Sequence, residues 1–584
     1  MPAMHHGSRS RALRWLWWGP PAALALFLAA FAWDAYQLLA SKDELTSHAR
    51  AAKQALTDRD AEELLAEAAA LEESARRFAT ATAGPHWWIA ARIPWVADQT
   101  VPLQRAGAAV EAVASEALSP LAELDDLSAL SAPEFVDGRI DPYLLEPHRE
   151  TLAQAAEVLT AQTATLASTD VAGAVTAVRE PFAELRDQLA DLADLVNGAH
   201  VAAEVLPSML GGDGERRYLV MVQNNAEPRT TGGIPGAVLE ISVADGEIAL
   251  ERYATANSMI DRDGPVTLTA DELRVFTRRM EVYPQNVNFT PEYPRSAQLM
   301  SEFWRAEYGT VPDGVLSIDP VALGYMLEGA PETEVGQFSI SGANLADVML
   351  RDSYLEFPEP EDQDAFFARA SAVLFSVMVG GQSDPIGGIE RAIDESRFMA
   401  WSGDAREQEL LASTVVGGTF LDQGSTLGVF INDGSGAKIG YYVDVETTVV
   451  SRVCADGTLV SQTATVELAH QFDGDVDELP WYVATGAAGY PNGEFHANVR
   501  LFPATGTGVV GATRDGETTG VNPERLDGRA LSTVRVVLTP GDVTELTFEI
   551  VANEAEIREP ELAITPGPKP NVYSTTSVEL VDNC

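Results

Sequence analysis

The feature that most constrains this chain is an uncharged apolar run close to its N-terminus. Residues 15–33 contain 19 residues without an acidic or basic side chain, which is about the length that crosses a bilayer as a helix. Tryptophans stand at both ends of the run, and three arginines precede it. Interfacial aromatics and a basic flank predict a cytoplasmic N-terminus. We therefore predict a cytoplasmic tail at 1–14, a transmembrane anchor at 15–39 and an extracytoplasmic position for the rest.

A cleaved signal peptide is the alternative to an anchor. Ala30, Phe31 and Ala32 fit the small-x-small pattern of a cleavage site. The apolar run is longer than the usual core of a signal peptide, which favours an uncleaved anchor. Both interpretations place the bulk of the chain outside the cytoplasm.

The net charge limits which partners the chain can bind, and the cysteine content bears on the compartment in which it folds. The chain has 87 acidic and 39 basic residues, a net charge of -48, so we expect no nucleic-acid partner because phosphates would be repelled. Its two cysteines are Cys454 and Cys584. An even count in an extracytoplasmic chain suggests a disulfide between them, and two free thiols are the alternative.

Residues 40–206 are predicted to form an alanine-rich helical bundle or coiled-coil stalk. Apolar residues recur there at steps of three and four, which keeps them on one helix face; one such stripe is Leu64, Ala68, Leu71 and Ala75. The segment PHWWIAARIPWV at 85–96 interrupts the helices with apolar aromatics. It either packs on the end of the bundle or contacts lipid headgroups.

Two further domains are predicted after residue 206, which makes the fold class multidomain α+β. Strand and helix patterns alternate over 207–438, which indicates an α/β layered domain. Within it, Asp245 and Gly246 separate two alternating runs as a two-residue hairpin turn. From 439 to 584, short β-branched runs are separated by turn residues, which predicts an antiparallel β-sandwich.

The stretch QNNAEPRTTGGIPG at 223–236, hereafter the QNN motif, is the first candidate site. It follows the apolar run YLVMV, so we expect a polar loop at the end of a strand, where α/β proteins often bind ligands. An arginine can hold an anion by two hydrogen bonds, and glycines permit close backbone approach. The candidate ligand-binding residues are Asn224, Asn225, Glu227, Arg229, Thr231, Gly232 and Gly233. The alternative is structural, with Glu227 paired to Arg229 and the asparagines capping backbone groups.

Other polar segments supply weaker candidates. Asn288 and Arg295 lie in NVNFTPEYPRSA, where Ser296 is a candidate helix cap for an anion-binding helix end. Asp261 and Asp263 are candidate Mg²⁺ ligands, and a surface turn is the alternative. Residues 434–440, GSGAKIG, lack the spacing of a phosphate-binding loop.

Four separated motifs carry a family resemblance. YLVMVQNNAEPRTTGGIPG, NFTPEYPRSA, VPDGVLSIDPVALGYMLEGAPETEV and AKIGYYVDVE occur in this order. Together they resemble the bacterial family called domain of unknown function 4012, over roughly residues 205–560. The family name implies no activity, so the resemblance leaves open whether the chain is an enzyme.

A fainter similarity links the chain to the LytR-CpsA-Psr envelope proteins. That similarity implies transfer of glycopolymers from a polyprenyl-pyrophosphate carrier, with arginines such as Arg229 and Arg295 on the pyrophosphate and Mg²⁺ held by a carboxylate. The characteristic arginine-aspartate motifs of those proteins have no clear match here. Two functions follow as hypotheses: an envelope scaffold or binding protein with envelope proteins as partners, or a transferase or binder of glycopolymer and carrier lipid.

Overall fold

The computed structural model divides the chain into two compact units. It describes residues 44, 47–55, 60–82, 84–124, 138–454, 458–486, 489–553, 561–570 and 573–581. The first unit comprises residues 1–131 and 145–203, and the second comprises 132–144 and 204–584. The predicted tail at 1–14 and the predicted anchor at 15–39 lie outside the described residues. Within the described part of the chain, no helix is long and apolar enough to cross a membrane.

The first unit is built from helices, as the three- and four-residue spacing predicts. Its elements are α1 (Ala61–Thr82), α2 (Pro85–Ala90), α3 (Pro94–Ala112), a π-helical turn (Val113–Leu118), α4 (Ser119–Ala122), α5 (Arg149–Ala167) and α6 (Thr176–Met209), the last of which continues into the second unit. The predicted stripe of Leu64, Ala68, Leu71 and Ala75 is fully buried. Small side chains in this stripe let neighbouring helices approach closely.

The first sheet of the second unit is mixed. It consists of β1 (Arg216–Arg229), β2 (Gly232–Ala244), β3 (Glu247–Thr255), β4 (Gly314–Ile318) and β7 (Met399–Ser402), in the order β3-β2-β1-β4-β7. Only β1 and β4 in this sheet run parallel. The predicted hairpin turn is confirmed, because Asp245 and Gly246 join β2 to β3 with φ of 50° and 78°, as a two-residue primed turn requires.

Helices and a small hairpin surround this sheet. The helices are α7 (Ala270–Phe276), α8 (Arg279–Val282), α9 (Tyr293–Tyr308), α10 (Pro320–Met326), α11 (Leu345–Asp347), α12 (Ser353–Glu356), α13 (Pro360–Val379), α14 (Pro385–Asp394) and α15 (Ala405–Ala412), and the hairpin is β5 (Thr333–Val335) with β6 (Phe338–Ile340). Phe303 and Trp304 of α9 pack with Leu219 and Met221 of β1 in one core. The alternation of strands and helices predicted for this region is therefore observed.

The remaining strands form the predicted β-sandwich. They are β8 (Thr426–Asp433), β9 (Val443–Cys454), β10 (Leu459–His470), β11 (Phe495–Phe502), β12 (Thr507–Arg514), β13 (Glu517–Thr518), β14 (Asn522–Leu526), β15 (Arg529–Leu538), β16 (Val543–Ala552), β17 (Glu561–Ile564) and β18 (Ser574–Val581), with one short helix, α16 (Trp481–Ala484). The two sheets have the orders β13-β12-β16-β10-β9-β18 and β14-β15-β11-β8-β17. Strand β8 pairs with β11 and β17, so it lies in the sandwich although it precedes the predicted boundary at 438/439.

The C-terminal tail adds one parallel strand to each sheet of the sandwich. β17 runs parallel to β8, and β18 runs parallel to β9. The rest of the sandwich is antiparallel in the described part. Val581 lies opposite Cys454 in this register. Cys584 lies outside the described residues, so the pairing of Cys454 with Cys584 stays a prediction.

Candidate functional site

The QNN motif is a buried β-hairpin and not a loop. The expectation that the strand ends near residue 222 is wrong, because β1 continues to Arg229 and turns through residues 230 and 231 into β2. Asn224 pairs with Ile234, and Pro228 pairs with Gly233. Residues 225–227 have no partner on β2 in this register, so they form a bulge of three extra residues on β1. The sequence predicts a loop here because the groups that bond with these polar side chains are distant in the sequence.

The two candidate glycines serve the hairpin itself. Gly232 has a φ of 132°, a conformation that side chains rarely adopt. A Cβ atom on Gly233 would lie 2.2 Å from the carbonyl oxygen of Asn224. The close backbone approach that was predicted therefore exists, but the approaching group is the neighbouring strand and not a ligand.

Gln223 and Asn288 fasten the hairpin to its surroundings. Gln223 Oε1 accepts hydrogen bonds from Gly233 N at 2.8 Å and from Asn288 Nδ2 at 3.1 Å, and its amide donates to Ser317 on β4. Asn288 Nδ2 also donates to the Gly233 carbonyl at 3.1 Å. Both side chains are buried. Buried amides are stable only when bonded in this way.

Asn224 and Asn225 bond to two different neighbours. Asn224 Nδ2 donates to the Tyr354 hydroxyl at 2.7 Å. Asn225 Nδ2 donates to Asp319 Oδ2 at 3.0 Å. Asp319 caps α10 by accepting from Ala322 N at 2.8 Å, and Pro320 begins the helix.

Arg229 is buried beside the sandwich. Its Nη1 donates to the carbonyl of Asp433 at 3.3 Å and lies 3.7 Å from Oδ2 of the same residue. Nη2 donates to Asn286 Oδ1 at 3.3 Å, and the guanidinium lies 4.9 Å from the ring centre of Phe289. Burial lowers the pKa of Arg229 and raises the pKa of Asp433, because lost hydration outweighs their mutual attraction.

Glu227 and Thr231 complete the set of motif residues. The predicted pairing of Glu227 with Arg229 is wrong. Glu227 Oε1 lies 2.5 Å from Lys438 Nζ, and Arg229 pairs with Asp433. Thr231 is buried, and its hydroxyl has no hydrogen-bond partner among the described residues. The guanidinium of the motif is thus directed to Asp433 at the end of β8, and its carboxylate to Lys438 shortly after that strand.

Arg295 lies in a separate place, at an open cleft of about 380 Å³. Its guanidinium binds both carboxylate oxygens of Glu272, at 2.6 and 2.9 Å, and donates to the Thr267 carbonyl at 2.7 Å. Glu272 also completes a capping box with Thr269 at the start of α7. The arginine is therefore paired within the chain. Ser296 does not cap α9; it donates to the Val287 carbonyl at 2.9 Å.

The cleft is acidic apart from Arg295. Glu292 and Asp527 line it with Glu272. Burial raises the pKa of Glu292, and the nearby Asp422 and Asp527 raise it further, although two backbone amides oppose this. Burial and the carboxylates of Glu272 and Asp271 raise the pKa of Asp527. Such a lining disfavours a pyrophosphate ligand.

The candidate metal ligands form a turn. Asp261 Oδ1 accepts a hydrogen bond from Asp263 N at 2.9 Å, and Asp263 is exposed. The part of the chain that the structure describes contains no group of three or more His, Cys, Asp or Glu side chains that could hold a metal. A role for Mg²⁺ stays a prediction.

A proline-rich strap, defined as residues 565–570, covers the carboxyl ends of the parallel strands β1 and β4. Asn225 Nδ2 donates to the Pro566 carbonyl at 3.3 Å, and Arg397 donates to the carbonyls of Gly567 and Lys569 at 2.9 and 3.1 Å. A cavity of about 30 Å³ remains beside the strap. The edge of an α/β sheet where ligands usually bind is therefore covered by the chain's own tail.

Most of the groups that pair with the motif are not among the candidate residues identified from the sequence. Arg397 binds Asp319 Oδ2 at 2.7 Å, and both side chains are buried. Asp433 directly precedes GSGAKIG and Lys438 lies within it, in a stretch whose sequence offers only a poor match to a phosphate-binding loop. Gly440 in this stretch packs on the motif, since a Cβ there would lie 2.6 Å from the Ala226 carbonyl. The order of the four family motifs was the one signal that joined these segments.

The fold and the site define a two-unit α+β protein. In its second unit, the side chains of the QNN motif and their partners form a buried polar network. This network joins the mixed sheet to the β-sandwich. Residues 213–354 match the model of a family described as "Protein of unknown function (DUF4012)". The resemblance predicted from the motifs is confirmed for this segment, which contains the first three motifs and ends before AKIGYYVDVE. No curated protein and no solved structure matched the chain.

Proposed function

We propose that the chain is a membrane-anchored, extracytoplasmic protein of the bacterial cell envelope that acts as a scaffold or binding protein. One observation carries the proposal: the charged and amide side chains of the QNN motif have bonding partners within the chain. Glu227 is paired with Lys438, Arg229 with Asp433, and Asn225 with Asp319. Groups held in this way stabilise one arrangement of sheet and sandwich, which suits a rigid platform more than a reacting centre.

The cellular location is argued from the sequence. The apolar run at 15–33 and its basic flank support a single-pass anchor with the N-terminus in the cytoplasm. A predicted Cys454–Cys584 bond would suit an oxidising compartment. Protease added to spheroplasts should then degrade the chain while cytoplasmic proteins survive. Survival of the chain with them would contradict the proposed location.

The scaffold role is tested by Arg229→Ala in the full chain. The variant leaves Asp433 buried without its cation, so we expect the free energy of unfolding to fall by about 1–3 kcal/mol. Arg278→Ala is the matched control, because Arg278 is exposed and pairs with Glu281 in the same turn. A variant that keeps its melting temperature and yet loses a cell-wall phenotype would contradict the scaffold role.

The second hypothesis is a LytR-CpsA-Psr-like transferase or polyprenyl-pyrophosphate binder that uses Arg229. Burial of Arg229 and its separation from the cleft of Arg295 give this hypothesis less support. A polyprenyl-pyrophosphate analogue should therefore not bind the protein, with or without Mg²⁺. Binding that disappears in Arg229→Ala, under conditions where the variant remains folded, would favour the transferase instead.

A further inference from the structure

The turn between α1 and α3 of the helical unit exposes an apolar surface. Trp95 is 68% exposed and Trp88 is 60% exposed, and Ile89 and Ile93 are exposed beside them. Arg92 lies over the ring of Trp88, 3.5 Å from its centre. We call these five residues the Trp88–Trp95 surface. Contiguous apolar groups of this kind on a folded domain mark an interaction site.

The backbone beneath this surface is held in place by packing. Trp87 is 1% exposed and packs with Phe78 near the end of α1 and with Leu103 of α3. Gln104 Nε2 donates to the Thr82 carbonyl at 2.8 Å, which ties α3 to the end of α1. The two neighbouring tryptophans therefore differ in burial: the buried Trp87 holds the turn in place, and the exposed Trp88 points outward.

The chain enters the helical unit at the same end. Glu44 Oε2 lies 3.1 Å from Arg77 Nη2, and Arg77 is five residues before the end of α1. The predicted anchor ends at residue 39, five residues before Glu44. Five residues span at most about 18 Å when fully extended. If the anchor crosses the membrane, the Trp88–Trp95 surface consequently lies close to the bilayer.

The charge of this region also differs from that of the chain. Residues 85–97, which carry this surface, contain one arginine and no Asp or Glu, whereas the whole chain carries a net charge of -48. An acidic surface is repelled by anionic lipid headgroups, and a region without acids is not. Tryptophan and arginine side chains are also the groups that favour the membrane–water interface.

We propose that the Trp88–Trp95 surface docks on the lipid surface and seats the helical unit on the membrane, an inference that rests on the proposed membrane anchor. The tryptophan rings and Arg92 lie at headgroup level, and Ile89 and Ile93 enter the acyl boundary. The anchor thus fixes the chain to the bilayer, and this second contact sets the orientation of the first helices.

Photo-crosslinking of the full chain in nanodiscs of phosphatidylethanolamine and phosphatidylglycerol tests this surface. The photoreactive residue p-benzoylphenylalanine replaces Ile93 in one variant and Glu150 in the control. Glu150 is exposed at the start of α5, about 26 Å along the helix from its other end at Ala167. That other end lies near α3, because Arg105 donates to Thr169 at 3.0 Å.

We expect lipid adducts, detected by mass spectrometry, at position 93 and none at position 150. Trp88→Ser with Trp95→Ser should remove the adduct at position 93 while the chain still co-elutes with the discs. Equal adducts at both positions, or none at position 93 in a disc-bound chain, would overturn the docking proposal alone. A chain that does not co-elute with the discs would overturn the anchor, and the docking proposal with it.

Discussion

Two buried arginines on neighbouring strands of the sandwich differ in their hydrogen bonding. Arg500 on β11 and Arg529 on β15 are each 7% exposed. Arg529 donates to the carbonyls of Phe420, Gln423 and Thr426. Arg500 has one long bond, 3.4 Å to the Val275 carbonyl, and its Nε and Nη1 have no partner among the described residues. Burial lowers the pKa of Arg500 to about 10.

Methionine at these two positions should have opposite effects. Arg500→Met removes an uncompensated buried charge, so we expect the free energy of unfolding to rise by about 1 kcal/mol or more. Arg529→Met leaves several buried carbonyls without donors and should lower it by about 2–4 kcal/mol. Denaturant unfolding of both variants measures the difference. Equal destabilisation would contradict the hydrogen-bonding contrast.

Glu292 provides a pH-dependent prediction at the residue scale. Its carboxylate accepts from Phe420 N and Leu421 N at 3.0 and 2.9 Å, and burial raises its pKa. A raised pKa in the folded state means that protonation stabilises the fold at low pH. This stability is lost as the pH rises through the folded-state pKa.

Glu292→Gln should therefore gain stability relative to the unmodified protein as the pH rises from about 4 to about 7. Unfolding midpoints across this range measure the difference. Glu302→Gln is the control, because Glu302 is an exposed acid paired with Arg305 on α9. If Glu292→Gln instead loses stability relative to the unmodified protein as the pH rises, the predicted direction is wrong.

At the scale of elements, the sequence predicted the regular strands better than the motif hairpin. β4, β9, β10 and β16 coincide with alternating or β-branched runs of the sequence. β1 extends seven residues past residue 222, to Arg229. This extension could not be predicted, because polar side chains are stable in a buried strand only when distant groups such as Asp319 and Lys438 bond with them.

Substitutions at two glycines of the motif, Gly233 and Gly236, test the close approach of β1 and β2. Gly233→Ala places a Cβ 2.2 Å from the Asn224 carbonyl oxygen, so we expect a loss of about 2–4 kcal/mol in stability. Gly236→Ala is the matched control, because the nearest atom to its Cβ lies 3.9 Å away. Thermal melting of both variants compares them. Similar melting temperatures would contradict the tight pairing at residue 233.

The contact between the strap and the sheet depends on Arg397. Arg397→Met leaves Asp319 buried without its cation and frees the strap carbonyls, and should cost about 3–5 kcal/mol. Arg391→Met is the control, since Arg391 pairs with Glu395 at the surface and such pairs contribute about 1 kcal/mol or less. Chemical denaturation of both variants measures the costs. Equal losses in the free energy of unfolding of the two variants would contradict a stabilising buried Arg397–Asp319 pair.

At the scale of the whole molecule, the sequence predicted the order of helical, α/β and sandwich regions. It did not predict that β8 belongs to the sandwich or that the tail returns to cover the first sheet. Both features depend on contacts between residues far apart in sequence, as between Asn225 and Pro566. Local periodicity carries no information on such contacts.

The QNN motif is a buried hairpin held in a fixed network. Amide hydrogen exchange at Gln223, Asn224 and Arg229, which pair with β2, tests this claim most directly, because exchange reports how rarely a backbone hydrogen bond opens. We predict protection as strong as that of β2 residues 238–243 and far stronger than that of the surface turn at 261–264. Exchange at the rate of the surface turn would show that the motif is an open loop and would contradict the claim.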